Sequence, residues 1–247
     1  MTVAHPAARP TNPTKGRADS VFFPAMALGM AAVVFTGFAP SWFLRGYIQP
    51  SFPLEPLSPL MVIHGTAFTL WVLLFITQTS LVAANRRDIH RKLGWWGLGL
   101  AVAMVILGWM AAVASLRSGV TPLPSIPPAA FFAVPVGSLV TFAPLVLLGI
   151  LNRKRADHHK RYMLMTMVTV LIPAAARIFL TSGAPPILAA YAVADIFVLA
   201  LFAYDFFQRG KVHRATWIAS AILIASEPGR LIIGQTHWWQ AFARLFA

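Results

Sequence analysis

The chain contains no cysteine. That excludes disulfides, iron–sulfur clusters, thiolate-ligated haem and thioether-linked haem. Acidic residues are scarce: seven Asp and Glu stand against twenty Lys and Arg, a net charge of +13 over 247 residues. Charged residues make up 11% of the chain and apolar residues 58%. Soluble domains run closer to a quarter charged, so this is the composition of a membrane protein. The lysines are Lys15, Lys92, Lys154, Lys160 and Lys211, and none lies within a long apolar run. Without a buried lysine there is no retinal Schiff base. P-loop, dinucleotide, His-Glu-x-x-His and Gly-x-Ser-x-Gly motifs are all missing, and no stretch outside the apolar runs is long enough for a soluble catalytic domain.

What is present is a series of apolar runs, each near the ~20 residues a membrane-spanning helix needs. They cover 21–44, 60–84, 94–116, 130–151, 162–182, 186–207 and 215–235. The pattern predicts an all-α, integral membrane seven-helix bundle over residues 21–247. Residues 1–20 are polar and Pro-rich and read as a disordered cytoplasmic tail. The first apolar run is too long for a signal-peptide core and reads as a retained helix. Fifteen of the twenty basic residues fall in the N-terminal tail and the loops after the second, fourth and sixth runs; three fall on the other side and two, Arg177 and Arg230, within runs. The positive-inside rule then places the N-terminus in the cytoplasm and the C-terminus outside. The basic charge is topological, which removes the case for nucleic acid, although anionic headgroups suit it.

The loop after the first run places Pro50, Pro53, Pro56 and Pro59 every third residue, the spacing of a stiff polyproline II segment. The next outer loop contains Pro122, Pro124, Pro127 and Pro128. These segments read as rigid connectors, or as a lid over an outward pocket.

The three basic loops share a signature of Arg, three residues, His, then a base: Arg86/His90, Arg155/His159 and Arg209/His213. Such repetition suggests three related helical hairpins. Histidine at a helix start can ligate haem or metal or relay protons, and a basic loop can equally serve only to reach headgroups.

Ionisable residues inside the membrane are costly and are candidates for function. Arg177, Arg230, Glu227, Asp195 and His64 all fall in the half of the bundle away from the basic loops. With His64 neutral their charges cancel, so they are expected to meet. Arginine's planar fork suits an anionic or carbonyl-bearing ligand, and Glu227, Asp195 or His64 can exchange a proton with it. Within Ser226-Glu227-Pro228-Gly229-Arg230, Pro228 removes a helical amide donor and Gly229 loosens the backbone, so a kink or break beside a polar cavity is expected. Asp205, near the basic end, is expected to pair with the basic loops. His64 shares a helical stripe with Phe68, Trp71, Phe75 and Gln78. The outer histidine His237 lies between Thr236 and the tryptophans Trp238 and Trp239, which read as interfacial anchors.

The stretch MVIHGTAFTLWVLLFITQTSLVAANRRDIHRKLGWWG (61–97), with DHHKRYMLMT (157–166), resembles a broad group of uncharacterised bacterial multi-pass membrane proteins. The shared elements here are His64, then His90-Arg91-Lys92-Leu93-Gly94, then His159-Lys160-Arg161-Tyr162-Met163, the last with an inserted Lys. The resemblance implies a bacterial cytoplasmic (inner) membrane location and no particular activity. The His-Arg-x-Leu-Gly element is also similar to one in haem-bearing transmembrane ferric reductases. Three functions stay open. The first is binding of a polar-headed amphiphile, a quinone or lipid, in an outward-facing charged pocket formed by Arg177, Arg230, Glu227, Asp195 and His64. The second is b-type haem on His64, His90, His159 or His213. The third is a non-catalytic subunit or assembly factor of a larger membrane complex.

Overall fold

The structure, a computed structural model, describes residues 13–49, 54, 56–121, 123, 126–180 and 182–247. Helix α1 (Pro13–Phe38) runs into a single π-helical turn, Ala39–Phe43. Six more long helices follow: α2 (Pro59–Ala83), α3 (Arg87–Ser118), α4 (Pro128–Leu151), α5 (Ala156–Ile178), α6 (Pro186–Arg209) and α7 (Arg214–Gly234). A short helix α8 (His237–Arg244) closes the chain. Seven of these are long and apolar enough to cross a membrane. The expected seven-helix architecture is therefore present.

The boundaries differ from the apolar runs in an instructive way. Residues 13–20 are helical rather than disordered, because α1 continues past the apolar run; residues 1–12 lie outside the described residues. Helix α3 begins at Arg87 rather than 94, and α5 at Ala156 rather than 162. In both, an aspartate in the first turn, Asp88 or Asp157, complements the positive end of the helix dipole. The helices thus extend beyond the apolar segment, and the signature histidines His90 and His159 sit within first turns instead of loops. His213 does something else. Its side chain accepts a hydrogen bond from the Ala215 amide and caps α7. Pro50, Pro53, Pro122 and Pro124 lie outside the described residues; Pro59 and Pro128 occupy first positions of α2 and α4, where a missing amide costs nothing.

Helix α5 is the pillar of the bundle. It packs against α1, α4, α6 and α7. Of its most apolar window 72% is buried, against 22–33% in the other spans. The other helices turn apolar faces outward, with Leu28, Leu73, Ile106, Val140, Leu199 and Ile232 each about half exposed or more. Where α1 crosses α5, Gly37 lies so close to Ala174 that any side chain would overlap the Ala174 carbonyl. Helices α3 and α6 stop at Gly119 and Gly210, both at φ 67°, the left-handed conformation that glycine takes without strain. No break occurs at Pro228: α7 runs unbroken from Arg214 to Gly234.

Candidate functional site

The end of the bundle that carries the basic loops is tied together by ion pairs. Arg161 on α5 and Asp205 on α6 are both fully buried and bonded through the guanidinium Nε and Nη2. Asp205 also accepts the His213 amide at 3.0 Å and the Thr216 hydroxyl. Arg161 Nη1 donates to the Asp157 carbonyl at 2.7 Å. Asp157 pairs with Lys160 at 2.8 Å and Arg209 at 3.0 Å, and Lys160 reaches Asp19 on α1 at 2.7 Å. Four helices are thereby fixed at one level. The expected pairing of Asp205 with the basic loops is realised through Arg161, a residue that reads in the sequence as one more loop cation. Next to this network His213 stands 4.5 Å from His158, ring to ring. Burial, with Arg161, Arg209 and His158 around it, pushes the His213 imidazole down to about 4.

Between α2, α3, α4 and α5, at this same end, lies a cavity of about 100 Å³. Its walls include Trp71, Phe75 and Gln78 of α2, His90 of α3, and His159 and Met163 of α5. The α2 stripe read from the sequence thus turns inward. Toward its far end His64 stacks on Phe68 at 4.3 Å, while Trp71, Phe75 and Gln78 line the cavity. Gly94 and Gly97 on α3 line it too, and a Cβ at Gly97 would press on Leu74 at 3.0 Å. Two of the three signature histidines are brought together here: His90 and His159 stand 6.1 Å apart, nearly perpendicular. The His159 Nδ1 lies 2.8 Å from the Gly149 carbonyl. A carbonyl only accepts, so Nδ1 bears hydrogen and Nε2 of the neutral ring is an acceptor. Gln78 Nε2 donates to the His90 carbonyl at 3.3 Å. The Trp71 indole N–H, Gln78 Oε1 and His90 Nδ1 are buried with no hydrogen-bond partner among the described residues. Unpaired buried polar atoms are uncommon, and here three face one small apolar space.

The five residues expected to form one charged pocket divide between two groups. Arg177 on α5 lies 4.5 Å from the Phe38 ring of α1, bonds the Pro173 carbonyl at 2.9 Å and is within electrostatic reach of His64 on α2. Arg230, Glu227 and Asp195 gather on α6 and α7. No ion pair joins Arg177 or Arg230 to Asp195 or Glu227 among the described residues. Arg230 bonds hydroxyls instead: Ser138 at 2.9 Å, Thr141 at 3.2 Å and Ser226 at 2.9 Å. Its Nη1 and Nη2 are thus met by neutral acceptors while its Nε is buried without a partner among the described residues, and charge balance alone does not reveal this.

Histidine and carboxylate groups of three or more that could hold a metal ion are absent among the described residues. No family model, curated protein or solved structure matches the chain.

Proposed function

We propose that this multi-pass membrane protein binds the ring headgroup of a polar-headed amphiphile, of the quinone or quinol class, in the cavity between α2, α3, α4 and α5. The observation that carries this reading is the pairing of a small apolar space with unused polar atoms at its edge. About 100 Å³ is the scale of a cavity that admits one six-membered ring. The Trp71 N–H can donate to a ring carbonyl, while Gln78 Oε1 and the His159 Nε2 acceptor suit a ring hydroxyl. His90 and His159 can exchange protons with such oxygens. The positive-inside rule supports a cytoplasmic position for this end of the bundle. The proposed headgroup site is therefore on the inner side, away from Arg177 and Arg230.

The test is equilibrium binding of a short-tailed quinone to the protein in lipid nanodiscs. Trp71→Phe removes one donor and keeps the ring, and is expected to weaken binding about tenfold, the ~1.4 kcal/mol of one buried hydrogen bond. His159→Asn is expected to do at least as much. Unchanged affinity in both variants, with wild type binding, would move the ligand elsewhere.

The second reading is b-type haem. Two imidazole nitrogens each ~2 Å from one metal ion put their ring centres about 6 Å apart, and His90 and His159 are at 6.1 Å. A macrocycle needs several times the present cavity of about 100 Å³, so the space as it stands does not fit one. An optical spectrum of purified protein, oxidised and then dithionite-reduced, separates the two. A Soret band that shifts on reduction favours haem, and a featureless visible spectrum of folded protein leaves the ring-headed ligand.

A further inference from the structure

The half of the bundle away from the basic loops contains a second site, distinct from the cavity. On α7, Glu227 is 5% exposed and Arg230 3% exposed, three residues apart and so on one face. The Arg230 stem crosses α4 at Gly137, where any Cβ would collide with it. That crossing carries the guanidinium to Ser138 and Thr141. Glu227 is left without a counter-ion within 4 Å, and its Oε1 is buried with no partner among the described residues. From α6, Asp195 lies within electrostatic reach of Glu227 and its Oδ1 is likewise unpartnered. Tyr191, one turn earlier and 5% exposed, places its ring 5.9 Å from the Arg230 guanidinium, which its hydroxyl also faces.

The charge count decides what such a group can hold. Two ionised carboxylates beside one guanidinium would leave a net negative charge in a region shielded from water. An uncompensated buried charge is strongly unfavourable, and neighbouring carboxylates respond by sharing a proton. Among the described residues, the helices packed against this group supply nothing else to neutralise it. Helix α4 presents the hydroxyls of Ser138 and Thr141, which do not titrate near neutrality. Helix α5 presents Arg177, which turns to Phe38 of α1. From α6 come Asp195 and Tyr191. On α8, His237 and Arg244 are exposed.

We propose that Glu227 and Asp195 together hold one exchangeable proton inside the membrane-spanning bundle, with Arg230 as the fixed charge opposite them and the Tyr191 hydroxyl as the neighbouring relay group. The proton lies on one carboxyl while the other is ionised. It leaves to water or a relay group without any bond to carbon or change of oxidation state. Buried carboxyl and hydroxyl chains of this kind serve proton movement in membrane proteins.

The experiment is infrared spectroscopy of the full-length protein in nanodiscs. Wild type is expected to show a protonated-carboxyl C=O stretch at neutral pH that shifts in deuterium oxide and corresponds to one proton per chain. Glu227→Gln should lose it and remain as stable as wild type, since the amide mimics the protonated acid. Asp195→Asn should also lose it, because Glu227 then ionises against Arg230. Absence of the band in folded wild type, or its persistence in Glu227→Gln, overturns the proposal. So does a Glu227→Gln protein that is markedly destabilised, since Glu227 would then be an ion-pair partner. Loss of the band on replacing choline by sodium at fixed pH would assign the site to a cation instead. A separate quinone titration reads the cavity, so failure of one proposal does not imply failure of the other.

Discussion

Removing the Asp205 carboxylate tests the physical account of the basic end. In Asp205→Ala, Arg161 keeps the Asp157 carbonyl and a distant Asp157 carboxylate at 3.6 Å. It loses its three bonds to Asp205 while remaining fully buried. Breaking a buried pair from one side costs ~3–5 kcal/mol. The His213 amide and Thr216 hydroxyl lose their acceptor as well, at ~1 kcal/mol or more each. These costs overlap, and the residual Asp157 contact offsets part of them, so the expected loss is about 4 kcal/mol. For a chain of this length that is a fall of about 8–16 °C in Tm. Reversible unfolding in mixed micelles, followed by helical circular dichroism, measures it. The decisive comparison is the double variant Arg161→Leu with Asp205→Leu. Removing both charges leaves no unpaired ion, so its loss should be at least ~2 kcal/mol smaller than the sum of the single variants. A loss under ~1 kcal/mol in Asp205→Ala would refute the reasoning, as would strict additivity in the double variant.

Other outcomes follow from the same geometry. Gly37→Ala should destabilise by ~1–3 kcal/mol or more through overpacking against Ala174, whereas Gly229→Ala, with nothing within 4 Å, should be neutral or stabilising by up to ~1 kcal/mol; thermal unfolding of the two variants reads both. His213 is held down to about 4 in the folded protein, below its ordinary ~6.5. The unfolded chain therefore binds the extra proton between these values, and stability falls on acidification from about pH 6.5 to 4 by up to ~1.4 kcal/mol per pH unit. His213→Asn keeps a capping side chain and removes the titration, so the variant should lack the fall in stability that wild type shows over that window in pH-dependent unfolding. Replacing Trp239 by Phe removes its bond to the Ala129 carbonyl at 2.8 Å and should loosen α8 from α4, read as faster amide exchange in residues 237–244.

The seven spans were legible because apolar run length is nearly the whole signal for a membrane helix. The inward stripe on α2 was legible for a similar reason: His64, Phe68, Trp71, Phe75 and Gln78 recur at helical spacing, and the structure does turn Trp71, Phe75 and Gln78 into the cavity. The helix starts were not legible from apolarity. A helix outlasts the apolar layer, and the signals at Arg87 and Ala156 were first-turn aspartates among cations. Nor was the partnering of buried charges. Counting charges identified Arg177, Arg230, Glu227 and Asp195 as a balanced set, but which acceptor each cation reaches depends on how neighbouring helices cross. At α4 that is decided by an absent side chain, Gly137, and by the hydroxyls next to it. Arg161 was hidden because its position near a loop made it look like a headgroup contact, although Asp205 across the bundle already required a buried cation.

The central placement of α5 bears on how the protein is made. Its mean hydropathy is 1.3, whereas the spans before it reach 2.0–2.2. It carries Arg161 near one end and Arg177 near the other, and lipid touches little of it in the finished bundle. A helix of this kind gains little by entering a bilayer alone. Its place becomes favourable only when α6 delivers Asp205 to Arg161. Biosynthesis therefore has a point of commitment after the pillar has emerged and before its counter-charge has. A chain stopped at the α5–α6 loop should leave α5 poorly integrated, and one extended past Asp205 should integrate it, in a staged insertion assay that scores each helix by accessibility of its ends.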